Sequence, residues 1–276
     1  MLDIHAVPPW KSLQPRVPPD ARIDEAYKQV FAPFKDVQEL RQELDHAKKG
    51  KTRRLTTVEE LQDMTDEQLV PVLIICNLLL AGESQKILKI GDIIPLLKDM
   101  RRTRPITCLD PIFKMVDAVI SRRLMLGLQE YGLLPEGTYG FVKGGGPEWP
   151  ADLVSDIKWH ARCEQKASCQ TFLDETSAYD TIDHAGISSG CSVFAVPADV
   201  ETRIMSHIGG HSRVVNTAYG LGDLDDTTRL EGGVEQGAPS SPLLYIFSTA
   251  AAQADSNSVV HGYPLPRLAP VDNVTW

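Results

Sequence analysis

Between Ile93 and Leu244 the chain alternates short extended runs with long amphipathic ones, and the alternation is irregular. "DIIPLL" and "RPITCLD" have strand length; Pro105 holds Arg104 out of the helical region, so the second run starts extended. "PIFKMVDAVISRRLMLGLQEYG" then carries apolar residues at helical spacing, with Pro111 in its first turn and Gly132 as its stop. A glycine-rich loop, "YGFVKGGGPEWP", separates it from a further helix, "ADLVSDIKWHARCEQ". "CQTFLD" reads as a strand and "VETRIMSHIGG" as a helix. "HSRVVNTAYGL" and "TTRLEGGV" read as two strands of a hairpin, and "SPLLYIFSTAAAQADSNSV" as a helix beginning at Ser240 or Ser241. Strands and helices mixed without a regular βαβ repeat define an α+β fold.

The N-terminal part is helical in pattern. Residues 1–20 contain two Pro-Pro pairs and read as an extended lead-in. Arg22 to His46 has helical spacing broken at Pro33. Thr57 precedes Glu60 by three positions and Thr65 precedes Gln68 by three, which is the form of a capping box in each case. The apolar run Leu69 to Gly82 is too short to span a bilayer and reads as a buried helix that Gly82 ends.

Composition excludes several functions. A net charge of −9 argues against a protein that coats nucleic acid over its whole surface. Basic residues cluster instead, in "KKGKTRR" (Lys48 to Arg54), read as a solvated loop, and in "KDMRRTR" (Lys98 to Arg104). Five cysteines at irregular spacing, with no secretory leader at "MLDIHAVPPW", point to reduced thiols and an intracellular site, nucleus or cytoplasm. His160, Cys163 and Cys169 lack a fourth ligand at zinc spacing, so they read as structural. "GFVKGGGPEWP" lacks the residue order of a phosphate-binding P-loop.

Two stretches carry chemistry. In "QTFLDETSAYDTIDH" an apolar pair, Phe172 and Leu173, delivers Asp174, with Asp180 and Asp183 following. A carboxylate at a strand end is a common way to present hard oxygen to Mg²⁺. In "EGGVEQGAPSSPLLYIF" three glycines permit close backbone approaches, Gln236 offers donors and acceptors, and "SSP" opens a helix.

Together these stretches resemble the palm of a reverse transcriptase of the non-LTR (LINE-type) retrotransposon kind. "FLDETSAYDTIDH" resembles its first palm motif, D-x-x-x-x-[FY]-D, and "QGAPSSPLLY" its second, Q-G-x-x-x-S-P-L-L-[FY]. Upstream, "IIPLLKDMRRTRPITCLDPIFKMVDAVISRRL" is similar to the fingers segment ending in R-P-I-[ST], and "GLLPEGTYGFVKGGG" to the G-F-x-x-G segment. "RVVNTAYGLGDLDDTTRLEGGVEQG" resembles the hairpin that leads into the second palm motif. The order of segments is the family's.

The resemblance implies roles. Asp174 would be a catalytic carboxylate and a ligand of the pair of Mg²⁺ ions that two-metal phosphoryl transfer uses, with the carbonyl of Glu175 as a minor ligand. Tyr179 stands where the family keeps an aromatic gate against the 2′-hydroxyl. Gln236, with Gly237, would contact the incoming deoxynucleoside triphosphate, and Lys98 and Arg104 would neutralise its phosphates. Asp180 and Asp183 are expected to cap the following helix or bond within the turn. The partners implied are an RNA template and a DNA primer, and no membrane.

The match departs from the family in two places. Val142, then Lys143, follows Phe141 where a basic residue is usual. No aromatic-Ala-Asp-Asp string, the third palm motif, is present; the late acids are Asp255 and Asp272. The reading is a truncated domain: residues 1–66 an N-terminal extension, partly disordered then helical, 67–169 a fingers-like region, 170–276 a partial palm with an antiparallel sheet. It is expected to be inactive as it stands. The alternative is a non-catalytic nucleic-acid-binding or structural remnant of a retroelement.

Overall fold

The computed structural model describes residues 21–47, 56–83, 86–99, 102–134, 138, 140–142, 145–167, 176–217, 220–221, 228–229 and 232–258. The N-terminal part is helical, as its pattern requires. α1 (Ala21–Val30) and α2 (Val37–His46) flank Pro33, and Asp36 caps α2 by accepting from Glu39 N–H. Short α3 (Val58–Gln62) and long α4 (Asp66–Leu80) both open with complete capping boxes, Thr57 with Glu60 and Thr65 with Gln68. The turn after α4 places Gly82 at φ +91, which a side chain would resist.

These helices are fastened to α5 (Pro111–Glu130), the longest in the described residues. Asn77 of α4 exchanges two hydrogen bonds with the backbone of Phe34, at 2.8 and 3.1 Å. Arg123 of α5 donates to the carbonyl of Ala32 at 2.6 Å and to that of Val30, an acceptor left open at the end of α1, at 3.4 Å. The core then runs without a break from Ile23 through Leu69, Phe113 and Ile187 to Ala250.

The sheet is small and mixed. β1 (Ile90–Asp99) pairs antiparallel with β2 (Arg102–Cys108), and Arg104 stands opposite Leu96. On its other side β1 pairs in parallel with β3 (Ser212–Thr217), Ile90 opposite Ser212. β4 (Gly220–Leu221) and β5 (Thr228–Arg229) add antiparallel partners to β3, which supplies the hairpin anticipated from the sequence. The expectation of an antiparallel sheet is thereby corrected. Parallel pairing needs a long crossover, and here β2 and five helices lie between β1 and β3. The "CQTFLD" strand lies outside the described residues.

The crossover comprises α5, α6 (Glu148–Cys163), α7 (Ala178–Thr181), α8 (His184–Val193) and α9 (Ala198–Ile208). α10 (Ser241–Ser258) follows the hairpin and packs on α8. Phe194 and Phe247 meet at 4.7 Å beside that crossing, and Tyr27 of α1 donates to the Phe194 carbonyl at 2.7 Å. The crossing is close because Gly190 has no side chain. A Cβ there would lie 2.0 Å from the Phe247 carbonyl oxygen, whereas at Gly186 it would meet only ordinary contacts from 3.7 Å outward.

Gly190→Ala is therefore expected to destabilise the fold by about 2 kcal/mol in chemical denaturation, overpacking outweighing the helix propensity gained. Gly186→Ala, one turn earlier on the same helix, should be neutral or mildly stabilising by the same measurement.

Candidate functional site

Three segments far apart in sequence meet at the loop that precedes α10. The first is the turn around α7. Ser177 takes a left-handed conformation (φ 54) to start it, and Asp183 ends it by capping α8, accepting from Ala185 N–H at 3.0 Å. The loop docks on this turn through its backbone: Gly233 N–H donates to the Ile182 carbonyl and Val234 N–H to that of Tyr179, both at 2.7 Å. His184 Nε2–H returns a bond to the Gly233 carbonyl at 2.9 Å. Gly233 sits at φ +76, and a Cβ on it would lie 2.8 Å from the Tyr179 carbonyl oxygen, so both the conformation and the approach require glycine.

The second segment is β2. Thr107 N–H donates to the Gln236 carbonyl at 2.8 Å, and Thr107 Oγ1–H to the buried Glu235 carboxylate at 2.6 Å. Gly237, at φ +137, lies so flat on the strand that a Cβ would stand 2.4 Å from the Thr107 carbonyl oxygen. The third segment is β3, whose Arg213 donates Nε–H to both oxygens of Glu235 at 3.0 and 3.2 Å.

Of the residues singled out from sequence, Tyr179, Gln236 and Gly237 are brought together. The half-buried Tyr179 ring packs edge-on against Tyr245 at 6.2 Å. The Gln236 side-chain amide donates to Asp180 at 2.7 Å, so Asp180 bonds across to the loop while Asp183 does the capping. Arg104 is on β2 three residues before Thr107, which by strand alternation puts it on the opposite face. Lys98 lies near the end of β1. Asp174 and Glu175 lie outside the described residues. Among the described residues no group of three His, Cys, Asp or Glu side chains could hold a metal ion, so none offers a site that fits a divalent cation. His160 pairs with Glu164 on the surface of α6.

Sequence reading missed the buried polar network beneath the loop. Asp117, in the middle of α5 and 1% exposed, accepts from His207 Nε2–H at 2.9 Å and from Ser240 N–H at 2.8 Å. Phe113 stacks on His207 at 4.6 Å and meets His211 edge-on. His211 Nε2–H donates to the His207 carbonyl, and its Nδ1 points toward Glu235 at 3.8 Å. These groups line a cavity of about 20 Å³ with Ser240 and Ser241. The available signal was Asp117 itself, an acid on the apolar stripe of "IFKMVDAVI".

Burial sets the charge states here. Desolvation, with Lys89 adding to it, pushes His211 down to about 4, so the ring is neutral at neutral pH. Lys89 is itself drawn down to about 8 by burial, and donates to the Ser206 and Gly209 carbonyls at the end of α9. Burial raises Glu235 above the usual carboxylate range against the opposing pull of Arg213 and Thr107.

The His211 shift fixes a sign. An unfolded histidine takes up a proton near 6.5, the folded one only near 4, so the unfolded state binds more protons between these values. Stability should fall as pH drops from about 6.5 to about 4. In His211→Gln this part of the acid limb is absent, and the plot of Tm against pH over that window should be shallower than for the wild type. An equal slope in both proteins contradicts the assignment.

A family model described as reverse transcriptase (RNA-dependent DNA polymerase) matches residues 96–261, more than half of the 276-residue chain. A search of curated proteins finds no match. The matched span takes in β2, α5, the α7 turn and the loop at which they converge. The chain belongs to the reverse transcriptase family.

Proposed function

We propose that this chain is the fingers and the first part of the palm of a non-LTR retrotransposon reverse transcriptase, with fingers over residues 67–169 and palm from 170 onward. One observation carries the reading. The loop bearing Gln236 and Gly237 is hydrogen-bonded both to the turn bearing Tyr179 and Asp180 and to the strand bearing Thr107. Three segments that resemble the family in order along the sequence therefore converge in space.

In this reading Tyr179 excludes the 2′-hydroxyl, Gln236 and Gly237 meet the nucleotide, and Lys98 and Arg104 offset its phosphate charge. Asp174 and the carbonyl of Glu175 are the hard oxygen donors for Mg²⁺, which neutralises charge on the attacking and leaving oxygens when bound. The 276 residues contain no aromatic-Ala-Asp-Asp string, so they supply carboxylates from one side of such a site only.

Primer extension tests this. The 276-residue chain should extend no primer on an RNA template, since positioning and charge neutralisation are nearly the whole of phosphoryl-transfer catalysis. A longer polypeptide in which it is followed by an aromatic-Ala-Asp-Asp hairpin and a thumb should extend. There, Asp174→Ala should abolish extension and Tyr179→Val should admit ribonucleotides. Extension by the 276-residue chain that survives Asp174→Ala overturns the assignment. Nucleic-acid binding without extension in the longer polypeptide points instead to a non-catalytic remnant.

A further inference from the structure

We infer that Glu235 is a positioning residue: its buried carboxylate seats the Gln236–Gly237 peptide on β2 by holding the Thr107 hydroxyl and the Arg213 guanidinium. The inference rests on the reading of Gln236 as a nucleotide contact and adds what sets that contact in place.

Thr107 is gripped twice by consecutive loop residues. Its N–H bonds to the Gln236 carbonyl and its hydroxyl to the Glu235 carboxylate. One bond would fix a distance; two from neighbouring residues also fix the tilt of the loop backbone against the strand. Gly237 makes that tilt possible, because any Cβ would strike the Thr107 carbonyl. The backbone carbonyl of Glu235 accepts from Ser241 Oγ–H at 2.7 Å, which ties the preceding peptide unit to the start of α10. With its backbone held on that side, Gln236 directs its amide across the loop to Asp180.

Stability does not explain a carboxylate here. Glu235 is 4% exposed and Arg213 lies on a half-buried strand, and an ion pair of this kind is commonly replaced by apolar residues without loss of stability. What the carboxylate supplies is direction. It accepts from β2 on one oxygen and from β3 on both, and β3 in turn pairs in parallel with β1. The loop is thus set relative to three strands by one side chain.

Two readouts on the 276-residue chain test this: equilibrium binding of dATP in Mg²⁺, and amide hydrogen exchange at position 107. Thr107→Val removes the hydroxyl and keeps the shape, while Thr107→Ser keeps the hydroxyl. Thr107→Val and Glu235→Gln should each weaken dATP binding roughly tenfold, the effect of losing a hydrogen bond to a charged group. Both should also speed exchange at position 107, and Thr107→Ser should stay within about twofold of wild type in each readout. A packing role predicts the reverse order, with Val tolerated better than Ser. Equal behaviour of Val and Ser, or unchanged exchange in Glu235→Gln, overturns the proposal. If the 276-residue wild type binds no dATP, its one-sided metal site accounts for that, Gln236→Ala in the longer polypeptide decides the nucleotide role, and exchange at position 107 alone decides whether Glu235 seats the loop. The threonine pair keeps the test valid if Glu235→Gln does not fold.

Discussion

A single carboxylate in the middle of α5 holds the structure at its centre. Asp117 is almost wholly buried, yet it has two donors, one from α9 and one from the first backbone amide before α10. A buried charge without partners is costly, so α9 and the start of α10 must be where they are for α5 to be buried at all. Phe113, one helical turn earlier, stacks its ring on the His207 imidazole and so fixes the ring that donates to Asp117. The helix, the approach to α10 and the end of the crossover are thus fixed relative to one another before any functional side chain is considered.

The site inherits this rigidity. The loop from Gly232 to Ser240 has no regular structure of its own, but both ends and its middle are tied. Its start bonds to the α7 turn, its middle to β2 and β3 through Glu235, and its end to Asp117. A loop tied at three places behaves as a scaffolded surface, which is how backbone groups come to be useful for recognition.

The elements visible in the sequence were those governed by local rules. Capping boxes at Thr57 and Thr65, proline at the opening of α5 and glycine after α4 each depend on residues within a few positions, and each formed as read. Pairing between distant segments was less legible. β1 and β3 could be recognised as extended, but nothing local says that they lie side by side in parallel. α10 could be recognised as a helix, but nothing local says that it crosses α8, a crossing that Gly190 permits by admitting the Phe247 backbone. At the site, Gln236, Gly237 and Tyr179 stood out through an ordered motif. Glu235 and Thr107 matter through each other, across more than a hundred residues, and neither is unusual alone.

The parallel contact between β1 and β3 also shapes how the chain comes off the ribosome. About 120 residues separate Ile90 from Ser212, so at ordinary translation speeds roughly ten seconds pass between the emergence of the two strands. During that interval β1 and β2 can close as a hairpin, but the far edge of β1 faces solvent with its amides and carbonyls unpaired, a template for any passing extended segment. The charged and proline-bearing character of the hairpin, with Pro95 opposite Pro105 and Lys98 near its tip, limits how many strands could add there. Nascent-chain chaperones, more than the finished fold, would feel that delay.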